Sequence, residues 1–275
     1  MKLSREKLEF LKTKANLIRK HIIEMIASAS SGHPGGSLSV CEIITALYFH
    51  IMKYKADEPE WLLRDRFLLS KGHAAPALYA VLAEAGFFPV KYLKTLRQIG
   101  SSLQGHPDRL SLPGIEMSAG SLGQGLSIAN GVALALKLDH RKSFVYSLIG
   151  CGESQEGMIW EGAMSASHFK LDNIIVFTDY NKQQIDGWNH EVKTLEPLSD
   201  KWRAFGWEVF EIDGHDFEQI ILTVEKAQTI KEKPKMIIAH TIKGKGVSFM
   251  EKNLKFHGAA PSSEETDRAL KELEK

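Results

Sequence analysis

The sequence predicts an α/β fold, a doubly wound parallel sheet with helices on both faces. Short apolar runs alternate with helical patterns along the chain, with no internal repeat. Several of these runs end in small or polar residues just before a helix, the junction at which open parallel sheets bind ligands. A hydrophobic content of 43% over 275 residues is enough for a full core.

Composition narrows the function classes. With 35 basic and 34 acidic residues, no global field favours nucleic acid or acidic membranes. Cys41 and Cys151 give no disulfide framework and fit a reducing cytosol. No stretch is long and apolar enough to span a bilayer, and the Lys/Glu-rich start does not read as a signal peptide. The expectation is a cytoplasmic protein. Length alone allows one large domain or two small ones; the reading adopted is a single domain over 1–275, with 262–275 an exposed tail or helix.

Taken in order, residues 3–29 predict a long helix, because Leu8, Leu11, Ala15, Ile18, Ile22 and Ile26 recur at helical spacing. A polar turn from Ser28 to Gly36 follows. Ser39 and Glu42, in a capping-box relation, open a helix from Val40 to Ile51. Phe67–Leu69 reads as a strand that stops at Ser70-Lys71-Gly72-His73-Ala74, before a helix from Ala75 to about Ala85. A helix near Val90–Arg97 precedes Gly105-His106-Pro107. Gly120-Ser121-Leu122-Gly123-Gln124-Gly125 then introduces an apolar helix, Leu126–Leu138, and glycines around a helix start read as an anion nest.

The chain is organised around residues 144–187. A strand, 144–149, breaks at Gly150-Cys151-Gly152-Glu153 and re-enters a helix, Met158–His168. A second strand, 173–178, runs into Asp179-Tyr180-Asn181. A glycine turn on one strand end and an oxygen-bearing Asn on the other suit a diphosphate and its cation. Beyond lie a helix (197–205), a strand (207–212), a helix (217–230) and a last strand (236–240). Lys243-Gly244-Lys245-Gly246 reads equally as a phosphate loop or a surface turn. Four histidines, His33, His73, His106 and His257, occupy loop positions followed by small residues or proline. Singly each reads as a turn residue; together they form a coherent polar mouth on one sheet edge.

Gly150-Cys151-Gly152 with Asn181 resembles the thiamin diphosphate motif, usually a Gly-Asp-Gly followed by Asn. The segments around His33, His73, His106 and His257 are similar to those of the transketolase family, in particular the N-terminal, diphosphate-binding subunit of split transketolases. The likeness covers roughly 10–261, in the family's order. It implies the thiamin diphosphate-binding fold and transfer of a two-carbon ketol unit from a ketose phosphate to an aldose phosphate, as in the pentose phosphate pathway. It also implies site roles. His33, His106 and His257 are catalytic residues that touch substrate. His73, Gly120, Ser121, Leu122, Gly152, Glu153, Asn181, Ile185 and His257 bind cofactor. Asn181, the Gln183 carbonyl and Cys151 stand at the positions of the metal ligands, for Mg2+, Ca2+ or Mn2+. Glu156 and Glu161 match a carboxylate network near the subunit interface.

The departure is Cys151, where relatives carry aspartate. Hard cations prefer oxygen, so the exchange predicts weakened or altered metal dependence, with Glu153 near enough in sequence to compensate. The resemblance further implies a partner chain carrying the pyrimidine-binding and C-terminal domains, in an α2β2 assembly acting on sugar phosphates. Three other readings are open. One is a non-catalytic scaffold of the same family, and another an enzyme like 1-deoxy-D-xylulose-5-phosphate synthase. The third is a dinucleotide-dependent oxidoreductase, which the Gln155 in place of a third glycine disfavours.

Overall fold

The computed structural model describes residues 3–274. Five strands, β1 (Arg66–Leu69), β2 (Val145–Gly150), β3 (Ile174–Tyr180), β4 (Glu208–Asp213) and β5 (Lys235–His240), form one sheet. Its order is β1-β2-β3-β5-β4 and every neighbouring pair is parallel. The helices are α1 (Arg5–Ala29), α2 (Pro34–Leu38), α3 (Cys41–Ala46), α4 (Ala75–Glu84) and α5 (Gln124–Leu138). They continue with α6 (Gly157–His168), α7 (Asn189–Val192), α8 (Leu198–Ala204), α9 (Phe217–Thr229) and α10 (Ser263–Glu272).

Strand alternation sorts side chains between two cores. Tyr146, Leu148, Ile175, Phe177, Ile237 and Ala239 face a core shared with α1, α3, α4 and α9. Val145, Ile149, Ile174, Val176, Met236 and Ile238 face another, closed by α5, α6 and α8. Helices on both faces of a parallel sheet make the doubly wound class that the alternation predicts.

Helix α1 starts at Ser4, whose hydroxyl accepts from Lys7 N–H at 3.1 Å. Its apolar stripe, Leu11, Ala15, Ile18, Ile22 and Ile26, is buried as the spacing requires. Four local expectations are corrected. The turn through Pro34 is helix α2, with the proline at its first position. The Ser39–Glu42 capping box does not form. Ser39 Oγ donates instead to Asp179 Oδ2 at 2.8 Å, and Glu42 pairs with Arg19 and His215, so buried tertiary partners displace the local cap. The stretch Val40–Ile51 is α3 followed by a π turn, Leu47–Ile51, and Val90–Thr95 is a 3₁₀ helix.

The C-terminal segment is a helix, α10, that begins with a complete capping box, Ser262 with Glu265, and packs back on the body of the protein. Ala269 and Leu273 are buried, and Asn16 Nδ2 donates to Leu273 O at 2.6 Å, tying this end to α1. Met1, Lys2 and Lys275 lie outside the described residues.

Candidate functional site

Strands β1, β2, β3 and β5 end on one rim, and the loops leaving them enclose a cavity of about 340 Å³. β1 delivers Lys71 and His73, β2 Gly150 to Glu153, β3 Asn181 to Asp186, and the loop after β5 Lys243. This is the carboxyl edge at which doubly wound sheets bind ligands.

The four histidines, far apart in sequence, converge there. The His33 ring centroid lies 5.4 Å from His73, 5.7 Å from His257 and 6.3 Å from His106, and His73 lies 5.6 Å from His257. All four line the cavity. Their charge state departs from the near-neutral pKa of free imidazole. Burial, then the Arg97 charge, holds His33 at about 4. Burial, then Lys243, holds His257 at about 3. Burial and Lys71 push His73 well below its ordinary value, and burial and Arg97 lower His106. The rings are therefore neutral at pH 7, each with one donor and one acceptor nitrogen. His257 Nδ1 lies 2.6 Å from Lys243 Nζ and accepts from the ammonium, leaving its proton on Nε2. Nδ1 of His33 is buried with no hydrogen-bond partner among the described residues.

Beneath the rings lies a charged floor. Lys71, 1% exposed, donates to the carboxylate of Asp179, 0% exposed, and to Gly36 O at 2.8 Å. Asp179 also accepts from Thr241 Oγ1, from Ser39 Oγ and from Asn181 Nδ2, the last at 2.8 Å. Burial alone would raise the Asp179 carboxyl, but Lys71 and these donors outweigh it and hold it below the usual range. The bond from Asn181 Nδ2 turns its Oδ1 the other way, to accept from Gln183 N–H at 3.0 Å.

The backbone is shaped for close approach. A Cβ on Gly36 would come within 3.3 Å of His73 Nε2. Gly123, at φ +87, caps α5 in a left-handed conformation and gives its N–H to Glu153 Oε1 at 2.9 Å.

The metal-ligand positions also converge. Cys151 Sγ points at Asn181 Oδ1 and Gln183 O, each 3.8 Å away. Burial and the Asp179 carboxylate push this thiol up, against the Asn189 amide and the Lys182 N–H. A thiol, an amide oxygen and a carbonyl lack the anionic oxygen that magnesium or calcium prefers, so this donor set does not suit a hard cation. Glu153 does not compensate. Its carboxylate accepts from Ser70 Oγ, Gly123 N and Gly150 N, and its pKa is raised, chiefly by burial.

Gly120, Leu122, Gly152 and Ile185 line the cavity as the pattern suggests, but Ser121 is exposed and does not. Glu156 and Glu161 are exposed on the outer side of the loop and of α6. Sequence reasoning gave no role to Lys71 or Asp179 and left Lys243 open between a phosphate loop and a surface turn; these are the groups that set the electrostatics. A lysine between Ser70 and Gly72 at a strand end was the available signal for the first.

Comparison with known proteins agrees with this geometry. The family described as the thiamine diphosphate binding domain of transketolase matches residues 11–274. The chain is 52% identical to a 6-deoxy-6-sulfo-D-fructose transketolase subunit of Clostridium sp. (strain MSTE9), over 96% of each protein. It is 43% identical to an apulose-4-phosphate transketolase subunit of Phocaeicola vulgatus, over 96% of this chain and 94% of that one. The crystal structure of transketolase from Campylobacter jejuni superposes with a TM-score of 0.92 at 34% identity. That match covers 100% of this chain but 43% of the other.

Proposed function

This chain belongs to the transketolase family, and we propose that it is the thiamin diphosphate-binding subunit of a two-chain transketolase. The reaction is transfer of a two-carbon ketol unit from a ketose to an aldose, both carrying an anionic tail. The observation that carries the reading is the meeting of four neutral histidines above the Lys71–Asp179 pair, at the carboxyl edge of the sheet. The whole of 1–275 acts as one diphosphate-binding domain, and its setting is the cytoplasm. Among the described residues no helix is long and apolar enough to cross a membrane.

The residues suit the cofactor. Glycine at position 36 leaves room beside His73, and the partnerless Nδ1 of His33 awaits an outside group. Lys243 offers positive charge to a diphosphate, with His73 and the N–H groups beside Gly120, Leu122 and Gly152 as further donors. Ile185 and Glu153 wall the same space. Bound thiamin diphosphate supplies the nucleophilic carbon and the electron sink for breaking and making the carbon–carbon bond. The protein supplies positioning and proton control. His257 Nε2–H donates to a substrate oxygen, its Nδ1 being held by Lys243. His33 and His106 contact the same hydroxyls, and as neutral imidazoles each can accept or give a proton.

A second chain completes the catalyst. Support comes from relatives of matching length that are named as subunits, while the chain spans only 43% of the Campylobacter enzyme. The partner contributes the pyrimidine-binding and C-terminal domains in an α2β2 assembly, with Glu156 and Glu161 in its carboxylate network. The 52% identical relative is named for 6-deoxy-6-sulfo-D-fructose, and sulfonated as well as phosphorylated ketoses are therefore proposed as donors. The test is to mix this chain with its partner, thiamin diphosphate and a divalent cation, and to follow ketol transfer. Turnover that needs both chains supports the reading. Full turnover by this chain alone, or calorimetric binding of NAD and not thiamin diphosphate, overturns it.

A further inference from the structure

The poor match between Cys151 and a hard cation is informative in its own right. We propose that the seat formed by Cys151 Sγ, Asn181 Oδ1 and the Gln183 carbonyl takes a thiophilic divalent cation of the zinc or cobalt class, in preference to magnesium. The inference rests on the cofactor reading and sharpens it.

Separation is the first argument. With metal–sulfur and metal–oxygen bonds of about 2.3 and 2.1 Å, a tetrahedral angle sets sulfur and oxygen about 3.6 Å apart, and a right angle about 3.1 Å. The observed value is 3.8 Å for both oxygens. Magnesium holds its ligands near right angles and prefers hard oxygen, so distance and donor type disfavour it together.

Charge is the second. The two carboxylates closest in sequence to these donors are committed elsewhere, Asp179 to Lys71, Ser39, Thr241 and Asn181, and Glu153 to Ser70, Gly123 and Gly150. Of the three donors at the seat, Cys151 alone becomes anionic, when a bound metal displaces its proton.

The surroundings are built to hold these donors. Asn189, 4% exposed, lies against the thiol, and among the described residues neither atom of its amide completes a conventional hydrogen bond. A turn fixes the Gln183 carbonyl. Gln184 N–H donates to Gly187 O at 3.0 Å, Asn189 N–H to Lys182 O at 2.8 Å, and Gln183 Nε2 to Lys252 O at 2.9 Å. Such outer contacts orient metal ligands and raise affinity. On loading, the S–H bond of Cys151 breaks, its proton passes to solvent and a metal–sulfur bond forms, with no change of oxidation state.

Cobalt titration tests this, because a thiolate–cobalt bond absorbs in the near ultraviolet. Inorganic diphosphate is present throughout. The expected result is a band that saturates at one equivalent in the native protein and in Cys41→Ser, and is absent from Cys151→Ser. Zinc should displace it and a hundredfold excess of magnesium should not. In Cys151→Asp the band should vanish and thiamin diphosphate affinity in magnesium rise at least tenfold. This second variant decides the matter if the serine form fails to fold. No band in the native protein, a band surviving in Cys151→Asp, or ready displacement by magnesium would overturn the proposal. A band without any thiamin diphosphate binding would sink the cofactor reading and leave the seat standing. Tight cofactor binding in magnesium without a band would do the reverse.

Discussion

Lys243 sits 3% exposed against His257, and burial followed by the Lys71 charge lowers its pKa to about 8. A bound diphosphate favours the charged ammonium and raises that value. Affinity should therefore be flat below about pH 8 and fall by up to tenfold per pH unit above it. Calorimetric titration with inorganic diphosphate from about pH 7 to 9.5 should show this break, and Lys243→Met should abolish it while weakening binding at pH 7. The Lys71–Asp179 pair behaves differently, since both members are enclosed. Asp179→Ala leaves a buried ammonium unpaired and should cost about 3–5 kcal/mol in urea unfolding, whereas Lys71→Met with Asp179→Leu should restore much of the loss. These residues also mark where sequence reading stops. His33, His73, His106 and His257 stand out because polar residues flanked by glycine or proline are conspicuous. Lys71 and Asp179 are not, because a buried ion pair between residues 108 positions apart leaves no local periodicity.

At the scale of elements, the agreement is closest where burial on two faces leaves little choice. Strand limits differ from the apolar runs by a residue or two, as for β2 at Val145–Gly150. Helix α2 was hidden because Pro-Gly-Gly reads as a turn, yet all five of its residues are buried and Ser37 Oγ donates to His33 O at 2.7 Å. The capping box expected at Ser39 lost to Asp179 for the same reason, tertiary contact overriding local preference. The start of α5 offers a test. A Cβ on Gly125 would overlap both Oγ and Cβ of Ser70. Gly125→Ala should lower stability by about 1–3 kcal/mol and loosen the loop that carries Gly120 and Leu122. Ser70→Gly in the same chain should return part of that loss in thermal unfolding; no recovery would show that the strain lies elsewhere.

For the whole molecule, the proposed assembly predicts which surface is covered. Ile128 on α5, Met158 and Met164 on α6, and Phe169 just beyond it expose large apolar side chains. Scattered apolar residues are ordinary on a monomer, but these four lie on or next to α5 and α6, which cover the same face of the sheet. Met164→Glu should leave the isolated chain's melting temperature within a degree or two, yet reduce complex formation with the partner by at least tenfold in sedimentation. Unchanged assembly would place the interface elsewhere.

The cavity draws its walls from both ends of the polypeptide, His33 near the start and His257 near the finish, with β1, β2, β3 and β5 between. Nothing shorter than nearly the full length can assemble it. A small molecule lodged there acts as a clasp for the entire body, and filling it to a hundred times Kd should add about 2.7 kcal/mol to global stability. An empty cleft would then leave the polypeptide more open to proteolysis, so occupancy sets its lifetime as well as its chemistry.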